Sequence, residues 1–339
     1  MFYNLAEEVF LVRGMRRSAI YDLSRQRLIR LEAEDRGRIR EVLRGSPGKI
    51  LAKYKKTEEF LNSNGLTEIS NRKKMKSIKS LRKNFRPEFA MVEISPIGGL
   101  RCDFCYKKCD CVQEKYMTPK DFRRARDFLV ANGVKTIRFA GDEPASHPDF
   151  RSIVGLCGGS FDRVEAPMDA APSEQSWRDI FEKNNIIPIA RLPSAAPGRE
   201  KFADFEMFKK IIIEESNFQK PLLRELVELA VSGHQCFSRQ LYIAQNLEVF
   251  PCAMERRLSH GFIGREKDSE LLKRDILQFN KDSVKTCKDC EFRYACFDCR
   301  LNCEGGNIRN RPWNCSYDPR TGEWEDPLTM FKKLNKSAQ

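Results

Sequence analysis

Five cysteines fall within seventeen residues, Cys287-x2-Cys290-x5-Cys296-x2-Cys299-x3-Cys303, and Cys315 follows twelve residues later. This density constrains folding more than any hydrophobic pattern in the chain. After residue 287 there is little apolar periodicity, so the segment is expected to depend on a bound metal instead of a core. Thiolates at such short intervals can converge on one centre, and soft ligands select zinc or an iron–sulfur cluster. Cys236 and Cys252 bracket a hairpin expected over 240–252, turning at 245–247. An earlier group, Cys102-x2-Cys105-x3-Cys109-x-Cys111, follows a strand-like run.

The chain has 339 residues, enough for two or three domains. No apolar stretch of about 18 residues is present to span a membrane. Glu7 and Glu8 stand where a secretory signal would be basic and apolar, so a cytoplasmic location is expected. In an unexported chain, 13 cysteines speak for metal ligation over disulfides. A scattered buried thiol explains lone Cys157 but not the clusters. Charge is unevenly placed. Residues 1–86 hold 22 Lys+Arg against 10 Asp+Glu, which is 22 − 10 = +12 of the total +13. Such a module implies an anionic partner (acidic peptide, nucleic acid or anionic surface), against the plain alternative of a solvated basic face.

Residues 8–12, 18–23 and 27–33 read as short strands, and 36–43 as a helix closed by Gly45. A second helix is expected from Thr57, an N-cap candidate, to Asn62 or Asn64, and 71–86 as a charged connector. From residue 88 the pattern becomes strand–helix alternation. Strands are expected over 89–94, 134–139, 161–165 and 186–190. Helices are expected over 118–130 and 174–183, the first opened by Thr118-Pro119 and closed by Asn132-Gly133. About four such units predict an α/β fold with a parallel sheet or partial barrel, too few for a closed one.

On these residues the segment 89–150 resembles the opening of radical SAM enzymes. In that family a C-x3-C-x2-C loop with an aromatic residue before its last cysteine follows the first strand, and a Gly-Gly-Glu-Pro segment follows the second. Three thiolates hold a [4Fe–4S] cluster whose open iron takes S-adenosylmethionine. Cys102 and Cys105 match the second and third cysteines, and Phe104 the aromatic position. Gly141, Glu143 and Pro144 fall on the second motif, with Gly141 and Glu143 where S-adenosylmethionine would be held. Two departures weigh against it. Gly98 occupies the first cysteine position and cannot ligate iron. Asp142 replaces a glycine where backbone should approach the ligand. The resemblance therefore implies a decayed cofactor site on a retained fold. The alternative is an atypical cluster in which Cys109 or Cys111 joins Cys102 and Cys105.

The C-terminal cysteines resemble the SPASM module of peptide-modifying enzymes. Cys236, Cys252, Cys287, Cys290, Cys296 and Cys315 match its pattern in order, Cys299 sits one residue short, and Cys303 is extra. The resemblance implies two auxiliary [4Fe–4S] clusters. One would be held by Cys287, Cys290, Cys296 and Cys315, the other by Cys236, Cys252 and Cys299 with Cys303 or an open site. A zinc-ribbon reading of the paired CxxC motifs stays open. More narrowly, residues 287–300 and the ending Cys315-Ser-Tyr317-Asp-Pro319-x-Thr321-x-x-Trp324 look like the SPASM-domain peptide maturases of grasp-with-spasm systems. These accompany an ATP-grasp ligase and a ribosomally made precursor peptide.

The expected organisation is a basic winged-helix-like peptide-recognition domain over 1–70 and a linker over 71–87. A degenerate radical-SAM-like α/β domain would follow over 88–232, a SPASM iron–sulfur domain over 233–325, and a tail over 326–339. The first domain would take an acidic leader as an added strand. Nucleic acid ranks lower as a partner, because no aromatic stacking pattern accompanies the charge. Three classes compete: a peptide-binding or electron-transfer partner of a ligase, an active radical enzyme, and a zinc-binding nucleic-acid protein.

Overall fold

The computed structural model describes residues 1–74, 76–95, 115–141, 144–168, 175–190 and 205–336. It is a mixed α/β protein in two compact units, each assembled from separated stretches of chain.

One unit comprises Phe85–Glu200 and His234–Phe279. Its seven-stranded sheet runs, in spatial order, Gly261–Phe262, Glu248–Phe250, Gln240–Ile243, Phe89–Glu93, Thr136–Ala140, Arg163–Met168 and Ile186–Ala190. The last five of these pair in parallel, while the hairpin strands at the other end pair antiparallel. The hairpin turns where its alternation predicts, with Leu247 at positive φ. Alternate residues of the strands (Ala90, Val92, Ile137, Phe139, Val164, Ala166, Leu241, Ile243) enter one core with Phe122, Phe128, Phe150, Ile153 and Phe181 of three helices. Each fully buried phenylalanine contributes about 1.5–3 kcal/mol. The register Val92↔Phe139 keeps this apolar set on one face, and a slip of one residue would turn it outward. The opposite face carries Met91, Glu93, Arg138, Glu165 and Tyr242.

The helix Pro119–Ala131 follows its sequence signals closely. The Thr118 hydroxyl accepts from the Asp121 amide at 3.1 Å, Pro119 opens the first turn, and Gly133 leaves the helix with φ +80°. The helix Phe150–Cys157 was not expected. It is eight residues long, no side chain caps its start, and it reads in sequence as a short apolar run.

The other unit comprises Met1–Asn84, Lys201–Gly233 and Asn280–Gln339. The strands Val9–Arg13, Ser18–Asp22 and Arg27–Leu31 form an antiparallel sheet, and the helix Ala33–Arg44 follows. The second helix spans Lys55–Ser63, so Thr57 lies inside it instead of capping it. The unexpected strand Phe2–Leu5 pairs with Thr67–Ser70. Phe10, Tyr21, Val227, Val231 and Tyr294 share a second core, which ties the first sheet to the helix Arg224–Ser232 and to the cysteine-rich segment. The Tyr21 hydroxyl donates to the Glu291 carbonyl at 2.9 Å, and Arg293 donates to the Arg13 carbonyl at 2.7 Å.

Candidate metal centre

Residues 280–318 form short 3-10 turns and loops closed by the strand pair Tyr317–Asp318 and Glu323–Trp324. A turn over Cys287–Asp289, held by the Cys290 amide on the Cys287 carbonyl at 3.0 Å, carries the first two thiols. Cys287, Cys290, Cys296 and Cys315 line one cavity of about 20 Å³. Phe218, Phe292, Tyr317 and Trp324 also line it, with ring centroids 4.6–5.7 Å apart. Cys157, Cys252, Cys287, Cys290, Cys296 and Cys315 are free thiols. Among the described residues, no three His, Cys, Asp or Glu side chains are grouped tightly enough to hold a single ion. The four thiols surround a space; they do not meet at a point.

The chemistry of the four thiols depends on their burial. Burial pushes Cys287 up to about 12 and Cys315 to about 11, and it raises Cys290 and Cys296 as well. Neighbouring thiols add to the rise at Cys287, Cys290 and Cys315. At neutral pH these four sulfurs therefore keep their protons, and metal binding must expel them. The donor set itself suits tetrahedral zinc or a [4Fe–4S] cluster.

Charge is arranged around the thiols. The Lys281 ammonium is buried, 2.8 Å from Cys296 Sγ and 2.6 Å from Asp298 Oδ1. Burial alone would lower its pKa, but the Asp298 carboxylate outweighs that and holds the ammonium charged. Arg300, buried beside it, pairs with the same Asp298 carboxylate and donates to the Ile308 and Asn310 carbonyls at 2.9 and 3.2 Å. Sequence reasoning missed these three residues. A lysine, an aspartate and an arginine in a chain that is 32% charged leave no signal of their own.

The remaining cysteines lie elsewhere. Cys236 and Cys252 belong to the unit with the large sheet, whereas Cys299 and Cys303 belong to the unit with the cavity. The Cys236 amide donates to His234 Nδ1 at 3.3 Å. Cys303 is buried and Cys299 exposed. Cys157 donates to the Ile153 carbonyl within its own helix, and burial pushes it up to about 12, which marks a core thiol.

At the C-terminal ends of the parallel strands, Gly141 has φ +130°. A Cβ there would come within 2.6 Å of the Ser95 carbonyl oxygen, so packing at the strand ends alone demands glycine. Gly98, Cys102, Cys105, Cys109, Cys111, Asp142 and Glu143 lie outside the described residues. Beside this edge, Tyr242 and Arg256 both donate to the Glu93 carboxylate, Arg256 at 3.2 Å, and the Arg256 guanidinium lies 4.1 Å from the Tyr242 ring centroid.

A separate cleft of about 380 Å³ lies in the N-terminal part of the cysteine-bearing unit. Arg13, Lys73, Lys74, Lys76, Lys79 and Arg293 line it together with Tyr3, Leu5 and Leu11, and no described carboxylate does. Lys73 donates to the Tyr3 carbonyl at 3.0 Å and Lys76 to the Leu5 carbonyl at 3.2 Å. No described helix is long and apolar enough to cross a membrane.

No protein-family model matches the chain, and no curated protein matches it. Several solved structures are similar in outline. SuiB of Streptococcus suis bound to the precursor peptide SuiA is 12% identical, with 88% of this chain and 96% of that one aligned at a TM-score of 0.42. BtrN in complex with AdoMet and 2-DOIA is 15% identical over 63% and 99% of the chains, at 0.40. Native anSMEcpe with bound AdoMet and the Cp18Cys peptide is 13% identical over 74% and 99%, at 0.39.

Proposed function

We propose that this chain is an iron–sulfur protein of radical SAM/SPASM descent that serves maturation of a ribosomally made peptide. One observation carries the reading. The four cysteines that the SPASM resemblance groups in one cluster line one cavity, although the first and last are 28 positions apart (315 − 287). Four soft donors around a space, not a point, favour a polynuclear cluster over one zinc ion. Cys236, Cys252, Cys299 and Cys303 are assigned to a second cluster on the sequence pattern alone. The N-terminal domain (1–70) and linker (71–87) would present a basic cleft to an acidic leader, with an ATP-grasp ligase acting on the bound peptide. The boundaries at 88–232, 233–325 and 326–339 belong to the same proposal. S-adenosylmethionine is left out of the working reading, because Gly98 removes a ligand and packing against Ser95 already accounts for Gly141.

The test is anaerobic reconstitution followed by iron and sulfide analysis. Wild type is expected to bind iron and sulfide in equal amounts, and Cys287→Ala with Cys290→Ala should lose about four irons, one cubane's worth. Stoichiometric zinc with no iron after the same treatment would reverse the assignment.

A further inference from the structure

Lys281 is an unusual neighbour for a set of thiols. The side chain is 7% exposed, and its backbone is fixed from both sides. The Asn280 side chain donates to the Val231 carbonyl at 2.7 Å and accepts from the Asp282 amide at 3.1 Å, which sets the 3-10 turn Lys281–Ser283. The ammonium therefore reaches Cys296 from a built position. Burying an ammonium costs several kcal/mol unless an anion compensates it. Asp298 is one anion, yet it also serves Arg300, so this buried trio holds two cations and one carboxylate. Besides Asp298, the Lys281 ammonium faces the Cys296 sulfur at 2.8 Å. Four thiolates around a [4Fe–4S]²⁺ core would sum to −2, a negative charge in contact with this ammonium.

We infer that Lys281 is a positioning residue that donates an N–H···S hydrogen bond to the Cys296 ligand and thereby favours the reduced form of the cluster at Cys287, Cys290, Cys296 and Cys315. This rests on the iron–sulfur reading above. The step is a one-electron reduction, [4Fe–4S]²⁺ to [4Fe–4S]⁺, with the electron supplied by an external reductant. No bond breaks, and the proton stays on Lys281 Nζ. The extra electron raises the negative charge on the sulfurs, so a fixed cation and donor stabilise the product more than the reactant.

The experiment is a spectroelectrochemical titration of the full-length reconstituted protein with dithionite, with the signal absent from Cys290→Ala identifying the centre. Lys281→Met should retain iron and sulfide. It should lower the reduced-to-oxidised ratio at a fixed poise about tenfold, equal to 59 mV for one electron. Lys281→Arg, which keeps charge and donor, should stay within about threefold of wild type. A full complement of iron with an unchanged ratio in Lys281→Met would overturn the inference and leave the cluster reading intact. If Lys281→Met loses its iron, Lys281→Arg decides: a ratio near wild type supports the role, and a tenfold fall overturns it. Wild-type protein that takes up no iron at all would refute the cluster reading itself.

Discussion

His260 shows how a single enclosed side chain sets the acid limit of the sheet-bearing unit. Its ring is fully buried, Nδ1 accepts from the Lys273 amide at 2.9 Å, and Nε2 has no described partner. Burial, helped by the Lys273 charge, lowers its pKa to about 4. The folded state thus prefers the neutral ring, whereas the unfolded chain takes a proton near pH 6.5. The resulting stability is present in full above about pH 6.5 and is lost as pH falls toward 4, amounting to about 3 kcal/mol. Urea unfolding at pH 7 and pH 4.5 should show this loss in wild type and a smaller pH difference in His260→Gln. Equal pH dependence in both would refute the assignment. At this scale the sequence was legible only where residues repeat. Cys287, Cys290, Cys296 and Cys315 announce themselves by spacing. Lys281, Asp298 and His260 act through neighbours that only the fold supplies.

Elements were legible where local chemistry decided them. Thr118-Pro119 and Asn132-Gly133 bound a helix because each acts within a few residues of itself. The strand Phe2–Leu5 was missed because its partner Thr67–Ser70 lies more than sixty residues away. The helix Arg224–Ser232 was missed because Leu223 precedes it and no side chain caps it. The helix Pro327–Lys336 carried a readable start, Asp326 accepting from the Thr329 amide at 2.9 Å, that the reading of 326–339 as a tail passed over. The cysteine segment behaves differently from all of these. Its turns rest on aromatic rings and on the thiols, so on the proposed reading loss of the metal should loosen it selectively. Limited proteolysis of Cys290→Ala under reconstituting conditions is expected to cut within 285–315 well before the sheet strands. Wild-type protection of that segment in the variant would count against a metal-dependent fold.

Across the whole molecule, charge is the organising fact. Residues 1–86 hold +12 of +13, and the cleft gathers Lys73, Lys74, Lys76 and Lys79 around one opening. Binding of an acidic peptide to the full chain should weaken as salt rises, because exposed charges are screened within about 10 Å at 0.1 M. Lys74→Ala with Lys79→Ala, both exposed side chains, should weaken binding about fivefold at low salt and less at high salt. A salt-independent affinity, or a preference for duplex nucleic acid at matched salt, would move the partner to another class. The route of the chain through the cysteine-bearing unit has a further consequence during synthesis. Its first sheet rests on Glu291, Arg293 and Tyr294, so the strands made first wait for residues made near the end. The sheet-bearing unit is complete at Phe279 and can fold while translation continues. On the proposed reading, the four thiols of Cys287, Cys290, Cys296 and Cys315 come together only after Cys315 has been made, so metal loading would follow the folding of the sheet-bearing unit.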